Sequence, residues 1–144
     1  MRVDGRGLLA GAVGGVAGGV LFGAMMTVMG MMGMVAGLVG SESVVVGWLV
    51  HLAISVVFGA AYALVLGALT RSYGRGVGLG AIYGVAVWVV GPLLIMPVWM
   101  GMPPLMIGEP QVMSLIGHLL FGGVTGLVYR AVVGSHVTTH RVQA

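Results

Sequence analysis

The chain has 144 residues, 59% of them hydrophobic, and only nine carry a formal charge: six Arg, two Glu and one Asp. A soluble domain keeps roughly a quarter of its residues charged, so 6% could not cover a core, and a soluble globular protein is excluded. The same apolarity excludes disorder, and 28 Gly without a G-X-Y period are not collagen, which leaves an integral membrane protein.

A helix needs about 20 apolar residues to cross the hydrocarbon. The hydropathy pattern predicts four spans, at about 8–36, 43–69, 76–101 and 111–133, in one transmembrane domain over 1–144. Residues 135–144 are expected to form a short cytoplasmic tail. The first span is too long for the apolar region of a secretory signal. It carries overlapping G-x-x-x-G spacings at Gly11, Gly14, Gly15, Gly18, Gly19 and Gly23. These permit close helix contact, first within the molecule and then within a homo-oligomer or larger membrane complex.

Gly40-Ser41-Glu42-Ser43 forms a polar turn in which Ser41 or Ser43 can cap the second span. Arg71-Ser72-Tyr73-Gly74-Arg75 is the charged loop before the third span. Gly91-Pro92 is expected to kink that span, and Trp99 falls where an interfacial aromatic would sit. Pro103-Pro104 ends the span and Glu109-Pro110 opens the fourth. All six Arg fall on one side of this arrangement, and both Glu fall in the opposite loops. The positive-inside rule therefore puts both termini in the cytoplasm. The net charge of +3 reflects that topology and not nucleic-acid binding.

Sliding the chain by 67 residues superposes its rarest side chains: Glu42 on Glu109, His51 on His118, Met29 on Met96, Gly59 on Gly126 and Tyr62 on Tyr129. The expected fold is all-α, a four-helix membrane bundle built from two parallel-repeat helical hairpins. Within each repeat a stripe recurs at i, i+4, i+8 and i+11. It reads His51, Ser55, Gly59, Tyr62 in the second span and His118, Gly122, Gly126, Tyr129 in the fourth. At 100° per residue each stripe lies on one face. Buried polar groups are costly in lipid, so both His should face protein.

That face supports three readings. In the first, the His are hydrogen-bonded between helices, with Gly59, Gly122 and Gly126 allowing close packing. In the second, His51 and His118 ligate haem b or a transition metal. In the third, the His/Tyr stripe, with Ser55, lines a path for protons or a small solute. Met-rich stretches at Met25–Met34 and at Met96, Met100, Met102 and Met106 add thioethers that suit Cu(I), with Met29 and Met96 as the repeat-matched pair. Met is also an adaptable apolar filler. Glu42 and Glu109 either complement helix dipoles or form the mouth of the His site. His136 and His140 sit in the solvated tail. No nucleophile triad, no carboxylate at the depth of the His and no Cys is present, so an enzyme is not expected.

Val50-His51, Ile54–Phe58, Tyr62, the Gly-rich start of the third span, Pro97, Met100-Gly101, Pro103-Pro104, Ser114 and Gly117-His118 resemble the YagU-like inner membrane proteins over about residues 47–130. The resemblance implies a multipass inner membrane protein and supplies no mechanism. The expected role is a non-enzymatic oligomeric or accessory membrane subunit, with haem or metal binding and a minimal channel as alternatives.

Overall fold

The computed structural model describes residues 4–141, with side chains through residue 134; Arg2 and the side chains of His136 and His140 lie outside the described residues. The described chain is helical, without strands: α1 (Gly5–Val28), α2 (Met32–Gly37), α3 (Val44–Leu66), α4 (Tyr73–Trp88), a π-helical segment (Val89–Ile95), α5 (Met96–Trp99) and α6 (Glu109–Arg141). Four helical stretches are long and apolar enough to cross a membrane: Gly5–Val28, Val44–Leu69, Tyr73–Trp99 and Glu109–Gly134. Their number and order agree with the expected spans, and α6 runs on through the residues expected as a tail.

Side-chain oxygens start three of these helices, as the first-turn N–H groups require. The Asp4 carboxylate accepts from Gly7 N–H at 2.9 Å, Ser43 from Val46 at 3.5 Å and Ser72 from Arg75 at 3.3 Å.

The first span is not one helix. It stops at Gly30, which has φ +68°, with Gly30 N–H bonded to Thr27 O and Met31 N–H bonded to Met26 O. This is a Schellman stop, which needs a left-handed residue that only Gly adopts cheaply. α2 then continues to a second stop of the same kind at Gly40.

The third span widens into a π-helix around Pro92, where the missing N–H and the ring both disrupt the α ladder. Pro97 likewise leaves Leu93 O without its donor at i+4, and Leu105 N–H supplies one at 2.7 Å from the following loop. Leu105 accepts φ +61° to reach it, a conformation that costs about 1–2 kcal/mol.

The helices pack in the order α3, α1, α6, α4, with close contact between successive members and only slight contact between α3 and α4. A strict twofold relating the hairpins would pair α3 with α4 as it pairs α1 with α6. The α3–α4 side is instead left open.

Small residues set the close contacts. A Cβ on Gly11 or Gly15 would overlap the backbone of Gly59 and Ser55 on α3, while one on Gly14 or Gly18 would overlap Thr125 and Phe121 on α6. Both glycine faces of α1 are therefore used inside the molecule. On α4, Cβ atoms at Gly76, Gly80 and Gly84 would overlap the carbonyls of Gly126, Gly122 and His118.

Candidate functional site

The stripe on α3 is that helix's buried face: His51, Ser55, Gly59 and Tyr62 are all buried. On α6, Gly122, Gly126 and Tyr129 are buried and His118 is half-buried. The stripe divides into two clusters, because 11 residues of helix separate His from Tyr by roughly 16 Å.

At the end near the Arg71 loop, Tyr62, Tyr83 and Tyr129 pack edge to face, with Tyr62 at 5.4 Å from Tyr83 and 5.7 Å from Tyr129. The Tyr62 hydroxyl meets Thr70 Oγ1 at 2.8 Å, and Tyr83 donates to Phe58 O at 2.7 Å, bridging α4 to α3. This half is closed by rings and by glycine contacts.

The histidines lie in the other half. Their shared neighbour is Phe22 of α1, whose ring centroid is 5.5 Å from His51 and 4.7 Å from His118. His51 Nε2 lies 2.9 Å from Gly19 O. A carbonyl only accepts, so Nε2 carries the proton and donates across to α1. His118 Nδ1 lies 2.8 Å from Ser114 O, one turn back on its own helix, and 3.3 Å from Ser114 Oγ. Here Nδ1 carries the proton. The two imidazoles are thus fixed as opposite tautomers, each with one nitrogen uncommitted.

Both rings line a cavity of about 360 Å3 on the open side between α3 and the π-helical segment. All three Phe of the chain line it (Phe22, Phe58 and Phe121), as do Met26, Met31, Met34, Met96, Met100 and Met102, half of the Met. Its polar groups are His51, His118, Ser55, Ser114 and Gln111. Among the described residues the one buried side-chain polar atom without a partner is Arg130 Nε. His51 Nδ1 and His118 Nε2, which form no hydrogen bond, are therefore not sealed inside the protein. Trp88 Nε1 donates to Gln111 O at 2.9 Å and Trp99 Nε1 to Leu38 O at 3.1 Å, tying the cavity's outer end together.

The structure thus brings together His51, His118, Ser55 and Met96, and sets the others apart. Tyr62 and Tyr129 belong to the second cluster. Met29, at the end of α1, is outside the lining. Glu42 and Glu109 are exposed at helix starts and do not line the cavity. Gly59, Gly122 and Gly126 lie against the backbone of neighbouring helices. Among the described residues no three His, Cys, Asp or Glu could jointly hold a metal ion, and a haem shared by the two His would contest the position of Phe22. Sequence reasoning missed Phe22, Gln111 and Tyr83. The available signal was rarity, since Phe22 and Tyr83 are lone aromatics among small aliphatic residues and the chain has only two Gln.

No protein-family model, no curated protein and no solved structure matches this chain.

Proposed function

We propose that the protein is a non-enzymatic multipass protein of the cytoplasmic membrane that binds a small, largely apolar molecule in the His51/His118 cavity. The observation that carries this reading is the lining: aromatic, thioether and proline walls around a few convergent polar groups, the usual make-up of a small-molecule site. At about 30 Å3 per non-hydrogen atom, 360 Å3 has room for at least roughly a dozen. A channel is the weaker reading, because the Tyr62/Tyr83/Tyr129 cluster and the glycine contacts close the half below the cavity.

Arg on one side and Glu on the other support cytoplasmic termini, and the YagU-like resemblance supports the inner membrane. A two-hairpin repeat is supported by matched contacts. Gly11, Gly15 and Gly19 run along α3 much as Gly76, Gly80 and Gly84 run along α6. These runs are offset by 65 residues and the His stripes by 67, so the two copies differ by a two-residue shift.

Equilibrium dialysis of naphthalene against the protein in nanodiscs tests the binding reading. Saturable uptake near one molecule per chain above empty nanodiscs is expected; uptake that only tracks lipid overturns it. The chain has no Cys, so single substitutions Ser72→Cys and Ser41→Cys test the topology. An impermeant maleimide applied to intact cells should label only the second.

A further inference from the structure

Hydrogen-bonding groups in the cavity wall decide which apolar molecules it prefers. A neutral imidazole has one N–H and one bare lone pair. In His51 the proton is committed to Gly19 O, and in His118 to Ser114 O. Both acceptors are backbone carbonyls fixed in helices, so moving either proton to the other ring nitrogen would leave a bare lone pair within 2.9 Å of a carbonyl oxygen, two acceptors that repel. No carboxylate lines the cavity, so nothing there would balance an imidazolium.

The Ser55 hydroxyl is also committed, donating to His51 O at 2.7 Å. What the histidines present is therefore two lone pairs, His51 Nδ1 and His118 Nε2, in apolar surroundings. A lone pair facing an apolar ligand loses its water and gains nothing. A ligand with an O–H group restores the bond. Its oxygen can also accept from the Ser114 hydroxyl or the Gln111 amide, whereas a carbonyl or an ether can only accept. The Phe and Met walls suit an aromatic ring, because thioether–ring contacts are favourable.

We infer that the cavity selects hydroxyl-bearing aromatic molecules of the phenol class, held by donation of the ligand O–H to the imidazole lone pair of His118. The inference rests on the ligand-site reading but is separable from it.

The test uses 2-naphthol and its methyl ether, which differ only in the donor, titrated into protein in nanodiscs at neutral pH with empty nanodiscs as reference. The naphthol should bind at least about tenfold more tightly than the ether, about 1.4 kcal/mol. In His118→Leu that ratio should fall below about threefold, with ether binding changed by less than about threefold. If both probes saturate the wild type with equal affinity, the cavity stands and the donor preference is wrong. If neither saturates, the ligand-site reading itself fails. One silver(I) per chain, lost in His118→Leu and with naphthol and ether equal, overturns the inference in favour of a soft cation. The wild-type ratio decides the matter even if the variant does not fold.

Discussion

In the hairpin of α1 and α3, His51 reaches across to the neighbouring helix and donates to Gly19 O. In the hairpin of α4 and α6, His118 turns back to Ser114 on its own helix, while Gly84 packs on its backbone carbonyl. The surrounding framework is otherwise alike: a ladder of glycines on the first helix, a His–small–Gly–Tyr stripe on the second, and carbonyls of one helix against the Cα atoms of the other. The same residue at the same place in the pattern thus has two jobs. His51 ties two helices together, and His118 holds its own orientation at the cavity edge. The difference teaches that both hairpins are braced at their glycines, and that the first is braced at its His as well while the second leaves its His available.

That contrast can be broken by substitution, and the sizes of the effects should be ordered. The largest effect belongs to the glycine ladder. Gly80→Val puts a branched side chain onto the Gly122 carbonyl and should cost at least about 3 kcal/mol. Little folded protein should survive mild detergent, whereas Gly78→Val, where a Cβ meets nothing within 4 Å, should behave as wild type.

Next comes His51→Leu, which removes an interhelical bond and should lower unfolding free energy in detergent by about 0.6–1.7 kcal/mol. Tyr83→Phe removes the bridge from α4 to Phe58 O and should cost about 0.6 kcal/mol. Smallest is His118→Leu, which removes no interhelical bond and should cost less than Tyr83→Phe, below about 0.6 kcal/mol. If His118→Leu destabilises as much as His51→Leu, the division of labour between the hairpins is wrong.

Much of this framework was legible in the residues. The four spans follow from hydropathy because a membrane span must be long and uninterrupted by charge. The buried stripe follows from 3.6-residue periodicity combined with the cost of polar groups in lipid. The disruption at Pro92 follows from a missing N–H. The break at Gly30 was not legible, because Met29-Gly30-Met31 has no polar or Pro signal and a glycine's φ is set by what packs around it.

The open side between α3 and α4 was equally hidden. Repeat arithmetic suggests a twofold, but the helices satisfy their ladders in the order α3, α1, α6, α4. Glu42 and Glu109 could be read either as helix-dipole partners or as the mouth of the His site, and both carboxylates are exposed at the helix starts, outside the cavity lining. Met29 matches Met96 in sequence only, since Met96 lines the cavity and Met29 does not. Which nitrogen of each His is protonated depends on a carbonyl 32 residues away in one case and four in the other, a distinction that no spacing rule contains.

The most direct test of the account is nitrogen NMR of protein labelled with 15N-histidine in nanodiscs, since the chain has only four His. The nitrogen shifts should show one membrane-embedded imidazole protonated at Nε2 and one at Nδ1, assigned by His51→Leu and His118→Leu. The bare Nε2 of His118 should shift on saturation with 2-naphthol. Two imidazoles in the same tautomer, or two opposite tautomers that ignore the ligand, would contradict the claim that this cavity is a binding site edged by two oriented lone pairs.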